Sequence, residues 1–439
     1  MRAGRQVWVI THRWAGLSLA LFLTVVGLTG ALMAFYDEIE SLIAPQLHIA
    51  QPPSAQTEPL DSLELREKVR AAYPGAVINY LPLKSEPGKV IRLDIRRIDP
   101  ATGRIGPWSP TIDEVFVDPY TGRVIAHRLW GDISQGAVNV MPFIYRLHYT
   151  LLADKTGRYI LGIAALIWVL DTFIGFYLTL PAWRARQQNS TANNGPSWWS
   201  RWKPSWLVRW TGGETKLTFD LHRAGGLWIW PMLFVFAWSS VYFNLREVYD
   251  PVMRMFGAEK LLDGVATLAR PRHEPQLDFA AATAHGRELA KSEAAQRGLT
   301  IEPDGASALS HRPAVGAYVY YFSTDRDFTI RGGRSLVIFD SDSGALKKIM
   351  LPQGANGANT FTEWMIALHM ARVGGLPYRI AVTLIGLLVT TLSVTGVLIW
   401  MRKRQARSLS AEKVNRRRLA DSQNALAPSV DSALPLRSE

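Results

Sequence analysis

The sequence predicts an α+β membrane protein: a four-helix transmembrane bundle made of two parallel repeats, with two outer domains that each set one helix on a small antiparallel sheet. Three observations predict it. Four apolar stretches, Trp14–Tyr36, Tyr159–Leu180, Leu227–Phe243 and Ile380–Trp400, separate more polar regions. Four of the nine histidines stand at the mouths of these stretches. The two halves also match at those histidines. His12-Arg-Trp-Ala-Gly-Leu17 aligns with His222-Arg-Ala-Gly-Gly-Leu227, and His148 and His369 each precede a glycine, Gly175 and Gly396, by 27 positions.

Taken in order, residues 1–13 form a cytoplasmic N-terminus and 14–36 the first transmembrane helix. Residues 37–147 make the first outer domain, 148–181 the second helix, and 182–218 a cytoplasmic Trp-rich basic loop. The third helix covers 219–245, the second outer domain 246–367 and the fourth helix 368–401. A cytoplasmic basic tail, partly disordered, occupies 402–439. About 20 apolar residues at about 1.5 Å rise each span a hydrocarbon core of about 30 Å. Pro231 interrupts the third stretch, and extending it back to Phe219 restores the length. Arg2, Arg5 and Arg13 flank the first segment; Arg184, Arg186, Arg201, Lys203, Arg209 and Lys216 lie between the second and third; a run from Arg402 to Arg418 follows the fourth. Residues 37–50 and 353–368 hold no Lys or Arg. The positive-inside rule therefore puts both termini in the cytoplasm and the two large loops outside.

The outer regions carry the repeat as well. Leu60-Asp-Ser-Leu opens a helical pattern through Leu65, Val69 and Ala72. Its counterpart opens at Leu277-Asp-Phe and runs through Ala284, Leu289 and Ala295. Each is followed by strand-like runs holding an Asp-to-Gly turn, Asp118/Gly122 and Asp340/Gly344, which read as hairpins. Residues 189–213, with Trp198, Trp199, Trp202, Trp206 and Trp210 among basic residues, read as an amphipathic segment on the membrane surface, with a docking surface for an electron donor as the alternative.

The net charge of +12 comes from the helix flanks and the tail, and no motif points to nucleic acid. Cysteine is absent, which excludes disulfides, cysteine-ligated clusters, thiolate haem ligation and covalent haem attachment. The first segment is expected to be an uncleaved anchor, with Leu28-Thr-Gly-Ala31 a weak rival processing site.

If the helices cross a membrane, His12 and His222 share one face, and His148 and His369 the other. An imidazole pair across a helical bundle is what bis-histidine ligation of a b-type haem requires, so two b-type haems are expected, with these four histidines as axial iron ligands. Zinc would need three or four ligands around one point. Gly16, Gly225, Gly226, Gly374 and Gly375 could admit a flat macrocycle or simply close helix packing. Arg13, Arg223, Arg146, Arg372 and Arg379 lie near the histidines as candidate propionate partners. Asp171, inside the second segment, is a carboxylate in a costly place and a further candidate, for a hydrogen bond or a proton relay.

These residues resemble the PepSY-associated transmembrane family. Leu368-His-Met-Ala-Arg-Val-Gly-Gly-Leu-Pro-Tyr-Arg379, followed by Ser393-Val-Thr-Gly-Val-Leu-Ile-Trp-Met-Arg-Lys-Arg404, is similar to that family's L-H-x-x-R-x-G-G signature and its T-G-x-x-x-W end. Leu147-His-Tyr-Thr-Leu-Leu152, with Gly157-Arg158, is similar to its second-helix form, and the two Asp–Gly hairpins look like PepSY strands. The resemblance implies a four-helix core in a bacterial inner membrane and two periplasmic PepSY-like domains. In its siderophore-reductase branch it implies bound haem and electrons passed outward to ferric siderophore. The reading is then a transmembrane oxidoreductase fed by a cytoplasmic or quinol donor. The chelate would dock above the outer haem, with Trp364, Tyr145 and Tyr149 as candidate walls. Two rivals remain: a siderophore or haem transporter, and a non-enzymatic PepSY regulator that binds peptides.

Overall fold

The computed structural model describes residues 2–54, 56–182, 196–303, 307–329 and 333–426. Its first half contains α1 (Arg2–Met33), α2 (Tyr36–Ile43), α3 (Ser62–Ala72), strands β1 (Tyr80–Pro82), β2 (Ile91–Asp94), β3 (Arg96–Ile98), β4 (Ile105–Pro107), β5 (Glu114–Val117) and β6 (Val124–Arg128), then α4 (Val140–Thr150) and α5 (Asp154–Thr179). Next come α6 (Trp198–Trp202), α7 (Glu214–Trp228), α8 (Trp230–Asn244), α9 (Arg246–Arg254) and α10 (Phe279–Gln296). Strands β7 (Ala308–Arg312), β8 (Ala317–Phe322), β9 (Ser335–Asp340) and β10 (Leu346–Met350) precede α11 (Gly357–His369) and α12 (Gly375–Leu426). The protein is α+β, with apolar helices and antiparallel sheets.

Gly4–Met33, Asp154–Thr179 and Gly375–Leu419 are each long and apolar enough to cross a membrane. The third apolar stretch differs from the single helix expected over 219–245. It breaks at Ile229, and α7 and α8 qualify as one span only as a pair bent by 69°. Pro231 explains the break. It sits in the first turn of α8, where a missing N–H goes unneeded, but it cannot continue a helix arriving from α7.

Other helix limits differ from expectation as well. Helix α1 starts at Arg2, well before Trp14. Helix α12 continues to Leu426, where a partly disordered tail was expected from 402; the remainder of that tail, and 183–195 of the Trp-rich loop, fall outside the described residues. His148 and His369 are not at the starts of the membrane helices but at the ends of separate short ones, α4 and α11. Between α4 and α5 the backbone turns left-handed at Leu151 (φ 51°), Leu152 (φ 60°) and Asp154 (φ 44°). Between α11 and α12 it does so at Ala371 (φ 51°), Gly374 (φ 66°) and Gly375 (φ 61°).

The chain divides into two compact units. One comprises Met1–Leu21, Gly175–Trp228 and Thr391–Glu439. Here α6 and the following turn are held to α5: Trp202 Nε1 donates to Thr179 Oγ1 (3.3 Å) and Ser205 Oγ to the Thr179 carbonyl (2.9 Å). Asp220 on α7, fully buried, binds Arg209 (2.6 Å) and Arg223 (3.0 Å).

The other unit, Phe22–Ile174 and Ile229–Thr390, holds all the strands found among the described residues. Two separate sheet domains were expected. Instead β1 from the first half joins the antiparallel sheet β1-β7-β8-β9-β10, pairing Tyr80, Leu81 and Pro82 with Ser310, Leu309 and Ala308. Strands β2-β5-β6 form a second sheet and β3-β4 a third. One core runs beneath both halves, joining Leu65 and Val69 of α3 to Ala282 and Ala290 of α10, Tyr318 and Phe339. Arg66 of α3 stacks its guanidinium on Phe279 of α10 at 3.9 Å. The physical reason is length: a three-residue strand cannot satisfy its backbone alone, and the hydrophobic face of α3 needs more cover than its own strands offer.

Local signals hold where they were clearest. Asp61 and Asp278 cap α3 and α10 by accepting from Leu63 N (2.8 Å) and Ala281 N (2.7 Å). Both Asp–Gly turns close hairpins, with Gly122 (φ 72°) donating to the Asp118 carbonyl (2.8 Å) and Gly344 (φ 75°) to that of Asp340 (3.0 Å). The amides of Ser343 and Asp342 also hold the Asp340 carboxyl well below the usual carboxylate range.

His311 on β7 gives the sheet a pH signature. It is 4 % exposed and its ring lies 4.8 Å from that of Tyr318. Burial first, then His273 and Arg66, push it down to about 4, with Asp342 opposing. An unfolded histidine titrates near 6.5. Above that value neither state binds the proton; between about 6.5 and 4 only the unfolded chain does, so stability falls as pH drops through this window, by up to about 3 kcal/mol. Unfolding midpoints followed against pH are expected to fall less steeply on the acid side in His311→Phe than in the parent.

Candidate functional site

Four histidines expected to act together are brought together as two pairs. His148, in the last turn of α4, faces His369, the last residue of α11, with ring centroids 6.3 Å apart and planes at 80°. The Nδ1 of His148 hydrogen-bonds Thr29 Oγ1 on α1 (2.9 Å), and that of His369 bonds Ser239 Oγ on α8 (2.6 Å). Phe236 and Phe243 close on His369 edge-on at 5.2 and 5.4 Å. Gly30 lets the ring pack closely against α1: a Cβ on it would stand 3.1 Å from His148 Cε1.

In the other unit His12 of α1 faces His222 of α7 at 6.1 Å, planes at 57°. His222 Nδ1 bonds the Leu392 carbonyl (3.0 Å) and Thr395 Oγ1 (3.1 Å) on α12. Gly396 and Gly175 seat these rings, since added Cβ atoms would stand 3.2 Å from His222 Cε1 and 3.4 Å from His12 Cε1.

A cavity of about 1380 Å³ contains both His148 and His369 in its wall. Its apolar part is lined by helix residues such as Phe22, Val26, Ala165, Trp168 and Val389, and its polar part by Arg92, Asp94, Arg334, Glu363, Tyr145 and Tyr149. Trp364, expected beside those tyrosines, instead stacks on Phe328 at 4.2 Å.

The expected arginines separate into two groups. Arg372 lines the cavity with the histidines. Arg13 and Arg223 flank the other pair, and the Nε of each is buried without a hydrogen-bond partner among the described residues. The far end of Arg223 is committed, donating to Asp220 (3.0 Å) and the Pro204 carbonyl (2.6 Å). Arg379 also lines the cavity but is held in a two-armed ion pair by Glu38 and donates to the Ala34 carbonyl (2.7 Å), and Arg146 binds Asp154 (3.0 Å). Arg379, Arg146 and, through its far end, Arg223 therefore already have carboxylate partners. Asp171 is buried on α5, next to Thr172, whose carbonyl accepts from Trp230 Nε1 (3.0 Å).

The ring-holding roles of Thr29, Ser239 and Thr395 were not foreseen, and Gly175 and Gly396 served only to align the two halves. A signal for them existed. Thr29-Gly30 and Thr395-Gly396 are the same dipeptide, and the first was read only as part of a weak processing site. Of the glycines proposed from the sequence, Gly16 faces open space, a Cβ added to Gly225 or Gly226 would meet a Leu392 methyl at 3.6 or 3.8 Å, and Gly374 and Gly375 serve a turn.

The donor sets fit a haem. An iron between two imidazole nitrogens, at about 2 Å from each, sets the ring centres about 6 Å apart, which both pairs match. Nδ1 bonded to protein is the usual arrangement of a ligating histidine, with Nε2 facing the metal. Two imidazoles without a third ligand suit an iron whose other positions are filled by a macrocycle; among the described residues no group of three or more His, Asp or Glu is placed to hold a bare ion.

The family model described as PepSY-associated TM region matches residues 9–403. No curated protein matches the chain.

Proposed function

Since the chain belongs to the PepSY-associated TM family, we propose that it is a haem-b-containing membrane reductase that delivers electrons to a ferric siderophore and releases the iron as Fe(II). The observation that carries this reading is the pair of facing imidazoles, repeated at 6.1 and 6.3 Å. His12 and His222 would hold one b-type haem, and His148 and His369 a second. Bound there, haem supplies reversible one-electron chemistry that no side chain of this protein offers.

The chain's own residues orient, bury and dock. Ser239, Thr29 and Thr395 fix ring orientation, Phe236 and Phe243 exclude water from His369, and Arg372, Arg13 and Arg223 supply positive charge beside the histidines. The polar part of the cavity, beside His148 and His369, is the place for the chelate. Its iron is held by hard oxygen donors, and reduction to the softer Fe(II) loosens that hold without a protein acid or base. The donor is a cytoplasmic protein or a quinol, because no dinucleotide-binding G-x-G-x-x-G is present in the sequence. In this reading the four apolar segments form a bundle of two parallel repeats in a bacterial inner membrane. Both termini are cytoplasmic and the sheets periplasmic, and the Trp-rich segment rests on lipid.

Absorption spectra of the detergent-purified protein, oxidised and reduced, with haem quantified per chain, test the proposal. Two low-spin b-type haems per chain support it. A folded, haem-free protein from haem-replete cells overturns it and turns attention to peptide binding by a PepSY regulator.

A further inference from the structure

Three hydroxyls that touch these histidines, those of Thr29, Ser239 and Thr395, have one thing in common beyond that touch. Each sits one helical turn after a carbonyl of its own helix and donates to it: Thr29 Oγ1 to Val25 O (2.7 Å), Ser239 Oγ to Val235 O (2.5 Å) and Thr395 Oγ1 to Thr391 O (2.6 Å). A hydroxyl has one proton and two acceptor sites. With the proton given to the helix, its oxygen can only accept, so the imidazole nitrogen that meets it must be the donor. His148 Nδ1 lies 2.9 Å from Thr29 Oγ1, His369 Nδ1 2.6 Å from Ser239 Oγ, and His222 Nδ1 3.1 Å from Thr395 Oγ1. At His222 the Leu392 carbonyl, which has no proton to give, points to the same conclusion at 3.0 Å.

We infer that Thr29, Ser239 and Thr395 are positioning residues that lock His148, His369 and His222 in the Nδ1–H tautomer, leaving the Nε2 lone pair of each aimed away from its helix support and available to bind iron. In water the neutral imidazole favours the other tautomer, with the proton on Nε2, where it would block ligation. The relay of ring N–H to hydroxyl to helix carbonyl reverses that preference before any group binds. It also makes each imidazole a stronger donor to a metal, because a hydrogen bond from Nδ1–H adds electron density to the ring. An iron held by these rings would be biased towards its ferric form.

The inference rests on the bis-histidine reading for its consequence, but the tautomers themselves are properties of the chain. The test uses full-length protein in detergent, Thr29→Val as the isosteric variant that cannot accept, Thr29→Ser as the variant that still can, and Ser239→Ala. In haem-stripped protein with ¹⁵N-labelled histidine, the parent and Thr29→Ser are expected to show His148 protonated on Nδ1. Thr29→Val is expected to move the proton to Nε2 for His148 alone, and Ser239→Ala to do so for His369 alone. In haem-loaded protein, Thr29→Val is expected to raise the midpoint potential of one haem while Thr29→Ser leaves it in place. Identical tautomers in parent and Thr29→Val, with haem retained and its potential unmoved, overturn the inference and leave the haem reading standing. A parent protein that never takes up haem overturns that reading instead, and the ¹⁵N spectra still decide the tautomers.

Discussion

The His369→Ala protein is expected to keep one b-type haem of two and to lose reduction of ferric siderophore. His369 faces His148 at 6.3 Å, and both line the cavity of about 1380 Å³. Removing one imidazole leaves the other with an open position opposite. Disturbing the outer partners of a metal-bound histidine costs about 10–100-fold in affinity or activity, so removing the ligand itself is expected to exceed about 100-fold. His222→Ala is expected to remove the other haem and to block electron entry, leaving the haem at His148 and His369 present but not reducible by the natural donor. Haem quantified per chain and stopped-flow reoxidation by a ferric chelate read both outcomes. Arg379→Ala offers a contrast. Its guanidinium is committed to Glu38 and the Ala34 carbonyl, so haem content is expected to stay at two while the junction between α1 and α2 loosens. Loss of a haem in Arg379→Ala would show that the ion pair opens to hold a propionate.

Arg128→Met is expected to destabilise the sheet-bearing region by about 3–5 kcal/mol, the cost of stripping one partner from a buried charge cluster. Arg128 is 1 % exposed and binds Glu114 (2.7 Å), Glu40 (2.8 Å) and the Val138 carbonyl (2.6 Å), with its face 5.0 Å from the Phe116 ring. It ties α2, which follows the first membrane helix, to β5 and β6. Burial already pushes Glu114 up despite Arg92 and Arg128; at Glu40 burial acts in the same direction, but His48 and Arg128 outweigh it and hold the carboxyl low. Without Arg128 the Glu114 carboxyl rises further, and the Glu40 carboxyl loses one of the two groups that hold it low. Groups raised on folding stabilise at low pH and lose that contribution as pH climbs, so the deficit is expected to be greatest near neutrality and to shrink on acidification. Tryptophan fluorescence of urea unfolding, followed against pH, measures this. A deficit that stays constant across pH would mean that Arg128 acts through packing alone. Adding Glu40→Gln and Glu114→Gln is expected to recover much of the loss.

The sequence disclosed the site better than the fold that carries it. Imidazoles at equivalent places in two halves are rare enough to be seen without coordinates, and His12, His222, His148 and His369 do meet as the spacing implied. The capped starts of α3 and α10 and the two Asp–Gly hairpins were legible because each depends on a few neighbouring residues. What escaped reading depends on partners far along the chain. Nothing in Tyr80-Leu81-Pro82 announces that its backbone will be completed by β7. Thr29 is an ordinary membrane-helix threonine until His148 arrives beside it. Pro231 was seen, but whether a proline kinks a helix or ends it depends on what surrounds the freed carbonyls, and here it starts a new one. The arginines were the least legible, because a flexible cation goes to the nearest carboxylate, and Glu38 and Asp154 took Arg379 and Arg146.

The strand shared by both halves has a consequence for how the molecule is made. When a ribosome has delivered everything through α5, β1 has an open edge and α3 an uncovered face, for the residues that finish them have not been translated. The first half therefore waits, incomplete, through the synthesis of the third apolar stretch, α7 and α8, and closes only when α10 and β7 emerge. Contacts so distant in the chain close slowly. During that interval an exposed strand edge can find a wrong partner, including the same edge on another nascent chain. The halves look like duplicates, yet neither is expected to fold when expressed alone, and co-expressing them as two separate polypeptides is expected to restore a protein that either half by itself cannot form.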